Sequence, residues 1–301
     1  LHRRMTEEEL APLAAWRPIQ HDPDDVVSTE DIEGIPGWVG RPIAQAPWSI
    51  SVGVADLHQY AGLSGGHKGV AVGCGGRQTI AGLHDRTRVT ADGVVVGALR
   101  DNPFRRVVDR LGQAARCRLA LVYVPALGEW VAGEPVEVLR AALARMQPWQ
   151  PVPTRYAGAV VHVTGPKAAS FYQASRAATY LSESPSPPLV DGATIIVSAA
   201  CTEGMGAERG FREALRSTAA PWSELLHGQA PVGAGAQRAV MLARLARRYR
   251  VRVMGCARSD ELCAHGIEAT DRPPPIGPTW LQVQHPFQQL PQFGVPVEDP
   301  S

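Results

Sequence analysis

Short apolar runs that alternate with helical patterns most constrain the fold of this 301-residue chain. Six runs rich in Val, Ile and Ala are typical of buried strands: 48–54, 93–98, 118–124, 159–164, 194–199 and 251–256. Five segments carry apolar residues at helical spacing: 103–115, 135–147, 168–181, 208–217 and 234–249. This alternation predicts α/β layers with mostly parallel sheets.

A proline-punctuated stretch at 147–153 interrupts the alternation and is the best candidate for a domain boundary. We therefore predict two three-layer α/β domains, at residues 1–150 and 151–271. Residues 272–301 are rich in Pro and Gln and show no clear period. They predict a tail that lies on the surface or is partly disordered.

Charge and cysteine content argue against several classes of protein. A formal net charge of +1 does not favour nucleic acid or a membrane surface as a partner. No apolar run reaches the roughly 18 residues of a membrane span, and the charged first ten residues do not resemble a signal peptide. An odd number of cysteines without CxxC spacing predicts reduced thiols and a cytoplasmic protein: Cys74, Cys117, Cys201, Cys256 and Cys263.

Reactive side chains are concentrated in residues 56–84, DLHQYAGLSGGHKGVAVGCGGRQTIAGLH. Glycine lets a backbone turn sharply and approach a ligand closely, and the N–H groups of such a loop can bind a phosphate. The segment has neither the Walker sequence nor GxGxxG spacing. His58, Lys68 and His84 add groups that can transfer a proton, bind an anion or hold a metal.

The pattern HxxAGxSGGxK, followed by a histidine sixteen residues later, resembles the core motif of nickel-dependent lactate racemases. Here it runs from His58 to Lys68 and ends at His84. Shorter matches extend the resemblance over about residues 1–265: His2-Arg3 before Thr6–Leu10, His21-Asp22-Pro23, Asp101-Asn102-Pro103 and Tyr172-Gln173-Ala174-Ser175-Arg176.

The resemblance implies a nickel-pincer nucleotide, the nickel complex of pyridinium-3,5-bisthiocarboxylic acid mononucleotide. Its metal is held by two sulfurs, a ring carbon and one histidine, and motif position assigns that histidine to His84. Lys68 matches the lysine that joins the cofactor covalently in some members of the family. The other residues expected to contact the cofactor are Ser64, Gly65, Gly66 and Arg77.

The resemblance also implies a reaction, the racemisation or epimerisation of a 2-hydroxy acid by hydride transfer to and from the cofactor. His2 and His58 match the two acid/base histidines, one for each enantiomer. The residues expected at the substrate carboxylate are Tyr172, Gln173 and Arg176, and a guanidinium can hold a carboxylate with two hydrogen bonds. The site is expected in the cleft between the two domains.

Three departures from the family pattern bear on the substrate. Arg176 stands where lysine is common, residues 168–170 replace Asp-x-Asn, and residues 233–238 lack a Trp. These changes favour a lactate-like 2-hydroxy acid other than lactate itself. The family further implies cofactor-biosynthesis enzymes as partners. It also implies an amino-terminal α/β segment before Leu1, without which we expect the chain to be catalytically incomplete.

Two other interpretations stay open: a non-catalytic phosphate- or nucleotide-binding module, and an inactive truncated relative. Three histidines, His2, His58 and His84, favour the enzyme, because phosphate binding does not need them. His67 is expected to be a solvent-facing loop residue. The arginine-rich end of the predicted helix at 234–249 is expected to be a solvated face.

Overall fold

The computed structural model describes residues 17–216, 225–226, 235–272 and 277–294. Its strands are β1 (Val26–Ser28), β2 (Trp38–Gly40), β3 (Ser49–Val54), β4 (Leu57–His58), β5 (Gly62–Leu63), β6 (Cys117–Val124), β7 (Glu129–Gly133), β8 (Trp149–Val152), β9 (Tyr156–His162), β10 (Leu189–Ser198), β11 (Arg250–Met254), β12 (Glu268–Thr270), β13 (Trp280–Val283) and β14 (Leu290–Phe293). Its helices are α1 (Arg41–Gln45), α2 (Lys68–Ala71), α3 (Arg77–Leu83), α4 (Arg86–Val89), α5 (Pro103–Ala114), α6 (Pro135–Met146), α7 (Phe171–Ser182), α8 (Arg209–Arg216), α9 (Ala236–Ala246) and α10 (Ser259–Cys263).

The largest sheet has five parallel strands in the order β12-β11-β10-β9-β13. Its inner strands are apolar on both faces: consecutive residues from Ala159 to Val161 in β9 and from Ile195 to Val197 in β10 are all buried. Consecutive burial is the pattern of a parallel sheet that is covered on both sides. The predicted α/β class with mostly parallel sheets is confirmed.

A second sheet has the order β3-β6-β7, with β3 and β6 parallel and β7 antiparallel. Helices α5 and α6 contact β6. The sequence predicts β3 as a buried strand, but Ile50, Val52 and Val54 are 50%, 64% and 42% exposed. Successive strand residues point to opposite faces, and these three share the face that solvent reaches. The predicted strand is therefore present, but the prediction that both of its faces are buried is wrong.

The predicted strand at 93–98 is absent. Gly93 and Gly97 have φ angles of +82° and +79°, which lie outside the range of a strand, and the segment forms turns. Val94 and Val96 are still buried. The apolar run thus reflects core contacts made by a turn.

The five helices predicted from periodicity appear as α5 to α9, each slightly shorter than its pattern. One apolar cluster includes Val122 of β6, Val161 of β9 and Tyr180 of α7. This core runs across the proposed boundary near residue 150, so the division into two domains stays a prediction. None of the helices in the described ranges is long and apolar enough to cross a membrane.

The carboxyl-terminal segment differs from the predicted tail. β13 pairs with β9 and completes the large sheet, and β14 pairs with β8 in a two-stranded parallel sheet. Val283 and Leu290 are 3% and 0% exposed. The surface-tail prediction is therefore wrong for residues 277–294. Proline at position 291 hides the strand pattern, although short edge strands tolerate proline.

Candidate active site

The glycine-rich segment forms a small hairpin, β4 and β5, followed by α2 and α3. Gly62, Gly65 and Gly66 all have positive φ. A side chain at Gly62 would collide with the carbonyl oxygen of Ala98, and one at Gly66 would meet Leu139. Close packing of the chain on itself therefore accounts for these glycines. Contact of Gly65 and Gly66 with a cofactor stays a prediction.

A buried ion network, Arg105, Asp109 and His67, lies beneath this segment. The Arg105 guanidinium is 2% exposed and donates to Asp109 Oδ1 at 2.7 Å and to the Leu63 carbonyl at 3.3 Å. Asp109 Oδ1 also lies 3.1 Å from His67 Nδ1, and His67 Nε2 lies 3.3 Å from the carbonyl oxygen of Cys117. His67 is 0% exposed, so the prediction that it faces solvent is wrong.

Asn102 fixes the start of α5 against the hairpin. Its Oδ1 accepts the N–H of Arg105 at 3.0 Å, and its Nδ2 donates to the carbonyl oxygens of Tyr60 at 2.8 Å and Ala98 at 2.9 Å. An N-cap side chain satisfies helix N–H groups that have no partner within the helix. The asparagine of the Asp-Asn-Pro match therefore connects the start of α5 to the backbone of Tyr60, two residues after His58.

His58 ends β4 and is buried. Its Nδ1 accepts the backbone N–H groups of Tyr60 at 3.3 Å and Ala61 at 3.2 Å. Burial lowers the pKa of His58 well below its usual value, and the charges of Lys68 and Arg176 lower it further. The imidazole is therefore neutral near pH 7. Because Nδ1 accepts, the hydrogen-bond pattern assigns the ring proton to Nε2.

His84 follows the last residue of α3 and has the opposite arrangement. Its Nδ1 lies 2.9 Å from the carbonyl oxygen of Ile80, which can only accept a hydrogen bond. Burial lowers the pKa of His84 to about 4. A neutral ring whose Nδ1 donates to a carbonyl keeps a free lone pair on Nε2, as in histidines that bind metals. Tyr60 and Phe104 contact the ring edge-on, with centroids 5.9 Å away.

Lys68 begins α2 and is partly buried. Burial lowers the pKa of its amine to about 8, and the charges of Arg176 and Arg105 add to this effect. An amine with a lowered pKa is a stronger nucleophile near neutral pH. The chain has two lysines, and the other, Lys167, forms an ion pair with Asp56.

Helix α7 provides the other side of the site. Arg176 is hydrogen-bonded to Tyr172, and its guanidinium carbon lies 5.6 Å from the centre of that ring. Gln173, in the first turn of α7, is partly buried. The charge of Arg176 contributes to lowering the pKa values of three residues of the glycine-rich segment: His58, Lys68 and His84.

Two predicted residues, Arg77 and Ser64, make other contacts. Arg77 is 68% exposed and donates to Asp24 at 2.7 Å, because the loop before β1 offers a carboxylate. Its contact with the cofactor stays a prediction. Ser64 is partly buried, and its backbone N–H donates to the carbonyl of Asp56 at 2.8 Å. His2 lies outside the described residues, so its role stays a prediction.

Arg238 of α9 is a buried charged residue that the sequence analysis missed. It is 1% exposed, and its guanidinium donates to Gln59 Oε1 at 2.6 Å and to the Thr179 hydroxyl. A signal was present in the sequence, because Arg238 is three and seven residues before the buried Met241 and Leu245. An arginine on the apolar stripe of a helix indicates a buried guanidinium.

A cavity of about 390 Å³ opens at the carboxyl ends of β3, β9 and β13. Ligands of parallel α/β sheets bind at this edge. Its lining includes Asp56, two residues before His58, together with His162 and Lys167. The cavity therefore adjoins the site.

No three His, Cys, Asp or Glu side chains converge as a metal cage in the part of the chain that the structure describes. A metal bound at His84 would therefore take further ligands from a bound cofactor. The free Nε2 of His84 and the reactive amine of Lys68 fit such a group.

Comparison with known proteins gives one family-model match and two similar folds. Residues 1–93 match the family model described as the lactate racemase N-terminal domain. The lactate racemase apoprotein from Thermoanaerobacterium thermosaccharolyticum has a TM-score of 0.82 and 17% identity, with 97% of this chain and 76% of that chain covered. A protein from Thermotoga maritima has a TM-score of 0.69 and 16% identity, with 97% and 84% covered. No curated protein matches the chain.

The chain is thus an α/β protein with the fold of the lactate racemase apoprotein and a buried site of neutral histidines, a lysine and arginines. Residues 1–93 are similar to the lactate racemase N-terminal domain, and the fold of the chain is similar to that of the lactate racemase apoprotein.

Proposed function

We propose that the chain is an isomerase that racemises or epimerises a 2-hydroxy acid with a nickel-pincer nucleotide as its cofactor. One observation carries the proposal. His58 and His84 both contact the ring of Tyr60, both are neutral near pH 7, and the charges of Lys68 and Arg176 lower the pKa of each. These groups meet the needs of the reaction: a proton carrier, an anchor, a metal ligand and a carboxylate-binding group.

The cofactor would be held by two residues. His84 would bind nickel through Nε2, while the carbonyl of Ile80 fixes its ring orientation. Lys68 would anchor the cofactor through its amine, whose pKa of about 8 leaves a fraction uncharged at neutral pH. When bound, the nickel-pincer pyridinium supplies a hydride acceptor and donor.

The substrate would be held by Arg176 and Gln173 at its carboxylate, which would place the hydroxyl towards His58. In this tautomer Nδ1 of His58 accepts two backbone N–H groups, and Nε2 carries the ring proton. His58 can accept the hydroxyl proton at Nε2 only after the ring proton moves to Nδ1. That move breaks two long hydrogen bonds, at 3.2 and 3.3 Å, which are weak. His2 is proposed as the acid/base for the other enantiomer.

The test is to co-express the full chain with cofactor-biosynthesis enzymes and nickel, then offer single enantiomers of 2-hydroxy acids. Chiral chromatography should show interconversion of at least one acid, and elemental analysis should show bound nickel. Lys68→Ala should abolish both cofactor retention and interconversion, whereas Lys167→Ala should keep the cofactor. Protein that binds inorganic phosphate but no nickel would favour a non-catalytic module, and nickel-loaded protein that converts no acid would favour an inactive relative.

A further inference from the structure

The cavity of about 390 Å³ that adjoins the candidate active site is large enough for a ligand of its own. Four of its lining residues lie at or just after the carboxyl ends of β3, β6, β9 and β13: Val54, Pro125, His162 and Gln284. The ends of two parallel strand pairs therefore meet at this cavity. The described residues that line it do not include His58, Lys68 or His84, so the cavity is distinct from the group proposed to hold the cofactor.

The topology of the large sheet makes this a place where a ligand is expected. From β9 the chain adds β10, β11 and β12 on one side, and it then returns to add β13 on the other side of β9. The strand order thus reverses between β9 and β13. Doubly wound sheets bind ligands in the crevice that such a reversal opens at the carboxyl ends of the strands. The cavity lies in this crevice, because it is lined by residues from both 162–167 and 284–288.

Lys167 is the positively charged group that the cavity wall holds ready for a ligand. Its ammonium forms an ion pair with Asp56 Oδ2 and lies 4.2 Å from the centre of the Phe287 ring. These contacts hold the ammonium in place before a ligand binds, which lowers the entropic cost of binding. An ammonium has three N–H donors. Because the Lys167 side chain is 32% exposed, a ligand can reach the donors that Asp56 does not use.

The other polar groups of the cavity favour a negatively charged ligand. Asp56 provides the one carboxylate among the described lining residues, and both of its oxygens already accept hydrogen bonds, from Lys167 and from Gln288 Nε2. A cationic ligand would therefore have to displace a partner from Asp56. His162 and His285 add two imidazoles, which can donate hydrogen bonds to an anion. This set of groups fits a carboxylate or a phosphate.

We propose that this cavity is a second binding site, for a small molecule whose carboxylate or phosphate group is bound by Lys167. The site goes beyond the proposed racemase, because it does not use the residues assigned to the cofactor or to the substrate carboxylate. Asp56 competes with the ligand for the Lys167 ammonium. Changes at the two partners should therefore have opposite effects: loss of Lys167 weakens binding, whereas loss of the Asp56 charge strengthens it.

Titration of the full chain with inorganic phosphate and with acetate tests the site, with the histidine ring signals in NMR spectra as the readout. At least one anion should shift the ring signals of His162 and His285 with a Kd of about 10 mM or tighter. Lys167→Ala should weaken this binding at least about tenfold. Asp56→Asn should strengthen it by about threefold or more, because it removes the competing charge and keeps a polar group of the same size.

Lys68→Ala is the matched control, because it removes the other lysine of the chain and should leave the affinity unchanged. Lys167→Met keeps most of the side-chain length and replaces Lys167→Ala if that variant does not fold. Binding of phosphate alone would assign a phosphate-bearing ligand, and binding of acetate alone a carboxylate-bearing one.

Three results would overturn the proposal. The first is that neither anion shows saturable binding. The second is that binding survives in Lys167→Ala or is lost in Lys68→Ala, which would place the anion in the glycine-rich segment or elsewhere. The third is that Lys167→Ala and Asp56→Asn weaken binding equally, which would mean that the ion pair serves only the fold.

Discussion

Arg105 and Arg238 are both almost completely buried, yet their surroundings differ. Arg105, beneath the glycine-rich segment, is neutralised by Asp109 through several hydrogen bonds. In the part of the chain that the structure describes, the guanidinium of Arg238, beside α7, donates hydrogen bonds to the neutral side chains of Gln59 and Thr179. A buried charge that serves the fold is paired with an opposite charge. The comparison teaches that the paired guanidinium of Arg105 holds the scaffold, whereas the guanidinium of Arg238 is held by neutral side chains.

The histidines of the glycine-rich segment also differ in how completely their polar atoms are paired. His67 has both ring nitrogens within hydrogen-bond distance of acceptors, Asp109 and the carbonyl of Cys117. His58 and His84 each use only Nδ1, which leaves Nε2 for a ligand. The number of ring nitrogens that are hydrogen-bonded thus distinguishes His67 from His58 and His84, although all three lie in one segment of the chain.

The largest expected effect comes from the reactive histidine. His58→Ala should lower racemisation by about a hundredfold to ten-thousandfold, because a positioned acid/base contributes that much. His67→Asn should lower stability but leave the turnover of folded enzyme within a few fold. The measurement is turnover per nickel-loaded chain, with unfolding followed by circular dichroism. Near-normal turnover in His58→Ala would break the distinction between the two histidines.

The stability of the protein should depend on the ion pair between Arg105 and Asp109. Asp109→Ala leaves Arg105 buried and unpaired, so the free energy of unfolding should fall by about 3–5 kcal/mol. Urea denaturation measures the change. Glu213→Ala, which removes the exposed partner of Arg209, should have little effect. Similar small losses for both variants would show that the buried network does not hold the segment.

Removal of Arg238 should lower the free energy of unfolding less. Arg238→Met takes away a buried charge that has no opposite charge to leave behind, so we expect a loss of at most about 2 kcal/mol in the same denaturation experiment. A loss as large as that of Asp109→Ala would mean that Arg238 is also part of the scaffold, and the comparison would fail.

The two lysines offer the smallest and most local test. The pKa of Lys68, lowered by burial to about 8, predicts that amine-reactive labelling of this residue increases with pH around a midpoint near 8. Lys167 is held by Asp56 and should react several-fold less at pH 8. Between pH 8 and the usual lysine value the unfolded chain binds more protons at Lys68, so this residue's contribution to stability rises with pH there. Peptide mass spectrometry that finds equal labelling would contradict the lowered pKa.

The sequence was informative where the signal is local. His58, Lys68 and His84 lie within one segment, and Arg176 lies in a short motif, so their spacing alone points to a site. Periodicity located α5 to α9 for the same reason. The match to a known motif added the roles, which geometry alone does not assign.

Features that depend on distant contacts were missed. Burial of His67 depends on Asp109, 42 residues away, and burial of Arg238 depends on Gln59, 179 residues away. The apolar run at 93–98 predicts a strand, but two of its valines are buried in a turn. A buried turn and a buried strand give the same apolar pattern in the sequence. The segment at 277–294 pairs with β9, more than a hundred residues earlier, and no local pattern reports that pairing.

The central claim is that the glycine-rich segment holds a nickel-pincer cofactor through His84. X-ray absorption at the nickel edge of co-expressed protein tests it most directly, with His84→Ala and His285→Ala as the compared variants. The wild-type chain and His285→Ala should show one imidazole nitrogen and two sulfurs around nickel. His84→Ala should lose the imidazole signal and most of the metal. Nickel that keeps an unchanged imidazole shell in His84→Ala would contradict the account.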